Sequence, residues 1–301
     1  MIVVRRTAGL VLLALAMAGC ANSRTAQVDS TSTSGPTPET IPATVAAFDS
    51  TTVAPTSKGV IVSAPQDNEP VRLVARIEEV LPHDAGAFTQ GLVLRDGLFY
   101  ESTGLYGQST VRIVDPATGQ VLSSVVLGEE YFGEGLEVVD DRIVQLTWRE
   151  ETAFIWDKNT LEPLGTYNYE GEGWGLCARD GQFYMSDGTP RLTVRDLESF
   201  EVIDVIDVRF EGEPVEFLNE LECTESAIYA NVWQSTTILV IDPGTGFVVA
   251  SIDATALQVV ARSGADIDVL NGIAYDAATD TFYLTGKLWP QMFVVEFVRG
   301  G

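Results

Sequence analysis

The chain has 301 residues, 46% of them hydrophobic, and a formal net charge of -25. That apolar fraction is ample for a buried core, and the length admits one large domain or two ordinary ones. The acidity argues against nucleic acid as a partner, because phosphate backbones would be repelled, and a solvated acidic surface accounts for the charge without a specific ligand.

At the N-terminus, Arg5 and Arg6 precede an apolar run from Ala8 to Ala18 that is too short to span a bilayer. The run ends Met17-Ala18-Gly19-Cys20, which is similar to the bacterial lipoprotein cleavage box, with Met17 where Leu is usual. Residues 1–20 are therefore expected to be a lipoprotein signal peptide with Cys20 as the lipidation site. The protein is then exported to the cell envelope, lipid-anchored on the outer face of the cytoplasmic membrane or secreted. Residues 21–70 are rich in Ser, Thr and Pro, as in Ser30-Thr31-Ser32-Thr33-Ser34-Gly35-Pro36. Such a segment buries too little apolar surface to offset its ordering entropy and reads as a disordered tether. Residues 71–301 then form the folded domain, which is expected to be a monomer.

From Val71 onward the pattern is of short strands separated by turn residues, with no convincing amphipathic helix. Five segments begin alike: Gln90-Gly91-Leu92, Glu134-Gly135-Leu136, Trp174-Gly175-Leu176, Asn219-Glu220-Leu221 and Asn271-Gly272-Ile273. Their spacings, 134 - 90 = 44, 174 - 134 = 40, 219 - 174 = 45 and 271 - 219 = 52, match a four-stranded propeller blade. The fold expected is all-β, a five-bladed β-propeller. The last unit lacks an outer strand, and the strand Val71 to Val80 is expected to supply it and close the ring. The first strand of each blade lines the central channel, so the five leading residues should gather at one opening. The loops after the second strands either open on the opposite face or curl back over that site.

The residues also carry a family resemblance. Pro82-His83-Asp84 with Ala87-Phe88-Thr89-Gln90-Gly91-Leu92 resembles the opening of the plant and bacterial type of glutaminyl-peptide cyclotransferase. The resemblance continues through Glu101-Ser102-Thr103-Gly104, Tyr131-Phe132-Gly133-Glu134, Thr147-Trp148, Gly173-Trp174, Leu218-Asn219-Glu220, Asn231-Val232-Trp233, Leu270-Asn271-Gly272 and Thr285-Gly286-Lys287. It covers residues 80 to 298 in order, across all five repeats. It implies a five-bladed propeller that closes the N-terminal glutamine of peptides or proteins to pyroglutamate and releases ammonia. The alternative is a non-enzymatic envelope lipoprotein that binds peptide or sugar through the same ring.

On the residues matching the family's site, Glu134 is expected to shuttle the proton from the attacking amine to the departing ammonia. Lys287, Asn219 and Gln90 carry donors for the oxyanion or the free amine, their roles undivided at this stage. Trp148, Trp174 and Trp233 are expected to clamp the aliphatic part of glutamine in a near-attack ring. His83 is expected to shape the turn before the first inner strand, with Asp84 as a partner. With one histidine in the chain, no metal and no cofactor is expected. Cys177 and Cys223 lie on first strands one repeat apart, and either meet between blades or point apart.

Overall fold

The computed structural model describes residues 69–300. The expected signal peptide, Cys20 and all but the last two residues of the expected tether lie outside them. The described chain is all-β, with one short helix. A first strand, β1 (Val71–Pro82), precedes three four-stranded antiparallel sheets, each ordered as its strands follow in sequence. They are β2 (Thr89–Arg95) to β5 (Val121–Val126), β6 (Gly133–Val139) to β9 (Pro163–Asn168), and β10 (Leu176–Arg179) to β13 (Val202–Asp207). A two-stranded ribbon, β14 (Arg209–Phe210) with β15 (Glu213–Pro214), leads into an eight-stranded sheet. Its order is β16 (Leu218–Cys223), β17 (Ile228–Val232), β18 (Thr237–Ile241), β19 (Val248–Asp253), β1, β22 (Gln291–Arg299), β21 (Thr281–Gly286) and β20 (Leu270–Asp276).

The strand expected outside the last repeat is β1. It pairs antiparallel with β22 from Leu73 opposite Arg299 to Pro82 opposite Gln291. It also pairs parallel with β19 over Val71 to Val74, a contact the sequence did not suggest. The sequence reading also missed the helix, α1 (Thr255–Ala261). With seven residues, of which Leu257 and Ala261 are buried, it is too short to display a helical period. It lies in the longest of the repeat intervals and accounts for part of its extra length.

Turns between third and fourth strands share one device. The Asp115 carboxylate accepts the N–H groups of Ala117 and Thr118, and Asp157, Asp196 and Asp242 do the same for the residues two and three ahead. A short acceptor side chain replacing backbone partners is what a tight turn of this kind needs.

The core lies between successive runs of four strands. Val93 and Tyr100 pack with Leu136 and Ile143, Leu146 with Leu176 and Phe183, and Leu192 with Leu221 and Ile228. Ile238 and Val240 pack with Ile273 and Phe293, while Ala274 and Met292 return to Leu92 and Phe99 at the beginning.

First strands approach so closely that side chains do not fit between some of them. A Cβ on Gly175 would lie 2.1 Å from the Asn219 carbonyl oxygen, and one on Gly91 would lie 2.5 Å from the Leu136 nitrogen. This convergence answers the question left open for the cysteines. Cys177 on β10 and Cys223 on β16 form a disulfide with Cα atoms 5.4 Å apart. The usual ~10 Å separation of packed sheet faces does not hold where strands crowd together like this.

Candidate active site

The leading residues of the repeats are aimed by irregular pairing. In β2, β6, β16 and β20 the register slips at the repeat start: Gly133 faces Thr147, whereas Leu136 faces Gln145. One extra residue per first strand makes a β-bulge, which bends the strand and redirects the side chains beside it. Gln90, Glu134 and Asn219 sit at these bulges.

Antiparallel pairing decides which way the second-strand loops open. Thr147, Val232 and Gly286 lie opposite Gly133, Leu218 and Leu270. Trp148, Trp233 and Lys287, one residue further on, therefore emerge on the same face as the repeat starts. Gln234 and Leu288, immediately after Trp233 and Lys287, take left-handed φ values of 63° and 62°, a conformation unfavourable for residues with a Cβ. The Lys287 backbone is held on both sides, its N–H donating to Val269 O and its carbonyl accepting from Asp268 N, each at 2.9 Å.

These side chains enclose a cavity of about 290 Å³ lined by Phe88, Gln90, Leu105, Phe132, Glu134, Trp148, Trp174, Asn219, Trp233 and Lys287. All seven residues selected from the sequence as catalytic or clamping groups line it. Asn271, expected at the same opening, does not. It is fully buried and donates to the Thr89 and Gln90 carbonyls at 3.0 and 3.4 Å.

Phe88, Leu105 and Phe132 are the lining residues the sequence reading passed over. A signal was available: Phe88 and Phe132 each stand two residues before a repeat start, and Phe217 does so in the fourth repeat. Phe132 packs edge-on against both Phe88 and Trp148, with centroids at 6.2 and 5.6 Å. Trp174 meets Trp233 edge-on at 5.7 Å. Glu172 was also missed; its carboxylate accepts the indole N–H groups of Trp148 and Trp174 at 2.8 and 3.0 Å.

At the polar end of the cavity Glu134 is 5% exposed and accepts one side-chain hydrogen bond, from Gln90 Nε2 at 3.1 Å. Burial pushes its proton affinity well above the ordinary carboxylate range; the charges of Glu172 and Glu150 add to this and Lys287 opposes it. Lys287 is also buried, and desolvation lowers its proton affinity against the attraction of Glu134 and Asp268. Its Nζ lies 4.9 Å from the centre of the Phe88 ring and makes no hydrogen bond among the described residues. The Asn219 side chain is likewise unpaired among the described residues. The arrangement offers a carboxyl group whose proton affinity burial raises, two uncommitted donors and aromatic walls. Among the described residues, no group of three or more His, Cys, Asp and Glu side chains gathers as metal ligands would.

His83 stands apart from the cavity lining. Its Nδ1 lies 2.6 Å from the Trp289 carbonyl oxygen and its Nε2 lies 3.0 Å from Glu101 Oε1. Asp84, its expected partner, pairs instead with Arg112 at 2.9 Å.

Comparison with known proteins finds relatives of the chain as a whole. Residues 45–297 match the family model described as glutamine cyclotransferase. The chain is 40% identical over 231 residues to glutaminyl-peptide cyclotransferase of Arabidopsis thaliana, covering 73% of this chain and 72% of that one. It is similar to the crystal structure of Myxococcus xanthus glutaminyl cyclase, with a TM-score of 0.74 and 42% identity. That match covers 77% of this chain and 100% of the other.

Proposed function

The chain belongs to the glutamine cyclotransferase family, and from that premise we propose that the cavity holds an N-terminal glutamine folded for attack on its own side-chain amide, with Glu134 moving the proton. The activity is that of a glutaminyl-peptide cyclotransferase, and the comparisons do not favour a purely binding protein. The observation that carries the site reading is the convergence of Glu134, Gln90, Asn219, Lys287 and the three tryptophans on one cavity.

In this reading the Trp148, Trp174 and Trp233 faces hold the methylene groups of glutamine and bring amine and amide carbon together, which supplies much of the rate of an intramolecular reaction. Glu134 takes a proton from the α-amine as its nitrogen bonds to the amide carbon. The tetrahedral oxyanion meets donors from the side chains of Lys287 and Asn219, which make no hydrogen bond among the described residues. Gln90, which donates to Glu134, holds the carboxyl group in place. Glu134 then returns the proton to the amide nitrogen as the carbon–nitrogen bond breaks. Ammonia leaves, the ring is pyroglutamate, and Glu134 is restored.

We infer further that the fold is a five-bladed propeller. Three sheets of four strands support this, together with an eight-stranded sheet that divides at the β19–β1 junction into two runs of four. The packing that returns from Ala274 and Met292 to Leu92 supports closure of the ring. Export with lipid attachment at Cys20 rests on the N-terminal sequence, outside the described residues. The Cys177–Cys223 disulfide fits an oxidising compartment. Mass spectrometry of the membrane fraction should find Cys20 acylated, and an intact Met1 there would refute this. A monomer is proposed, to be checked by sedimentation.

The experiment for the site is ammonia release from a glutaminyl dipeptide. Wild-type protein should turn over, and protein with Glu134→Gln should not keep pace with it. Equal rates would remove Glu134 from the reaction.

A further inference from the structure

Two walls of the cavity come from different sheets. Trp148 follows β7 (Arg142–Thr147) and Trp174 precedes β10, and a backbone bond from Gly173 N to Trp148 O at 2.9 Å brings the two segments together without orienting either indole. The indoles are oriented by Glu172. Its Oε2 accepts from Trp148 Nε1 at 2.8 Å and from Trp174 Nε1 at 3.0 Å. Its Oε1 accepts from Arg149 Nε at 2.9 Å, and the Arg149 guanidinium lies 3.7 Å from the centre of the Trp148 ring. Three hydrogen bonds thus commit both oxygens of this carboxylate to the two tryptophans and to the arginine stacked on one of them.

The position is unusual within the repeat. Two residues before the repeat start the first, second and fourth repeats carry Phe88, Phe132 and Phe217, whereas the third carries Glu172. An aromatic there would add wall area, but it could not receive two indole N–H groups.

We propose that Glu172 is a positioning residue for the cyclisation, a carboxylate that locks Trp148 and Trp174 into a single wall and so fixes the pose of the glutamine side chain. This rests on the reading of the cavity as the cyclisation site. Glu172 touches neither end of the reacting amide in that reading; it acts through the indoles. Its charge has a second consequence. Glu134 faces Gln90, Lys287, Glu150 and Glu172, with the Tyr106 and Tyr169 hydroxyls sensing the same field. The Glu172 charge raises the proton affinity of Glu134, so removing it should let Glu134 ionise at lower pH.

The test is steady-state ammonia release from a glutaminyl dipeptide by wild type, Glu172→Ala and Glu172→Gln, together with thermal unfolding of each. Glu172→Ala frees both indoles and should lower kcat/KM by about 10- to 100-fold, the usual consequence of releasing groups that orient a site. Its unfolding midpoint should change little, because the Glu172 side chain is 36% exposed. Glu172→Gln keeps an amide oxygen for both indoles and should recover most of the loss, while the acid limb of its pH–rate profile moves to lower pH. If the alanine variant does not fold, Glu172→Asp, whose carboxylate is too short to reach both indoles, takes its place. Equal losses in the alanine and glutamine variants, or an alanine variant within about twofold of wild type, overturn the proposal, since orienting groups are worth more than that. A wild-type protein that releases no ammonia overturns the site reading itself.

Discussion

Glu101 on β3 (Leu98–Thr103) and Glu134 on β6 are 1% and 5% exposed, so bulk water solvates neither carboxylate well. Glu101 accepts from Thr89 Oγ1 at 2.6 Å and Arg112 Nε at 2.9 Å, and His83 Nε2 lies 3.0 Å away. Burial works against its charge, but His83, Arg112 and Thr89 outweigh burial and hold its pKa down to about 2. Burial alone would lower the proton affinity of His83; Glu101 and the Trp289 carbonyl reverse that and raise it. Glu134 has one amide donor and a lysine that does not bond it, and its proton affinity rises well above the ordinary range. The same residue type at similar depth is thus a fixed anion in one place and an exchangeable acid in the other. The difference lies in how many donors the surrounding strands supply. Satisfied charges hold the fold; incompletely satisfied ones are available for chemistry.

The largest expected effect separates the two on activity. Glu134→Gln should reduce turnover by about 10²- to 10⁴-fold, the range for a positioned acid–base group, while the unfolding midpoint is maintained. Its sign with pH follows from the raised proton affinity. The folded state holds an extra proton between the ordinary carboxylate range and the raised value, so wild-type stability falls as pH climbs through that window. The variant should lose that dependence, which denaturant titrations at stepped pH would reveal.

Glu101→Gln should do the reverse. Breaking a buried ionic network from one side typically costs about 3–5 kcal/mol, so the unfolding midpoint should drop while the folded fraction keeps its turnover. Because the Glu101 pKa is depressed to about 2, its contribution is present above the ordinary carboxylate range and disappears as pH falls through about 2. Acid denaturation of wild type and variant should therefore converge at the lowest pH.

Lys287→Met sharpens the same comparison from the cationic side. Loss of an oxyanion donor should lower kcat by about 10²- to 10³-fold. Removing the charge that opposes protonation of Glu134 should also move the acid limb of the pH–rate profile upward, opposite in sign to the shift expected for Glu172→Gln. The smallest effect concerns the walls. Trp233 is 37% exposed and meets Trp174 edge-on, and Trp233→Ala should raise KM by about threefold to tenfold, the worth of one aromatic pair.

Much of this organisation is legible in the sequence because a repeat reports the same fact several times. The period placed first strands, and the resemblance to the cyclotransferase family, falling on matching repeat positions, led to Gln90, Glu134 and Asn219. The direction of the second-strand loops needed pairing: the position of Trp148 follows from Thr147 lying opposite Gly133, and composition does not show that register. Asn271 misled, because equivalent sequence position does not guarantee equivalent exposure; its side chain turns to the Thr89 and Gln90 carbonyls. The disulfide was undecidable for a similar reason. The close approach of Gly175 to Asn219 is a property of packed backbones, and generic sheet spacing argued against it. Glu172 was hidden among many acidic residues, distinguished only by two indoles that share no strand with each other.

The opposed proton affinities of Glu101 and Glu134 are most directly measured by infrared pH titration of the folded protein, using difference spectra against Glu134→Gln and Glu101→Gln to assign each carboxyl band. The account predicts a protonated-carboxyl band for Glu134 that persists above the pH at which ordinary carboxylates ionise, and a carboxylate band for Glu101 that survives down to about pH 2. A Glu134 already ionised in the ordinary carboxylate range would contradict it.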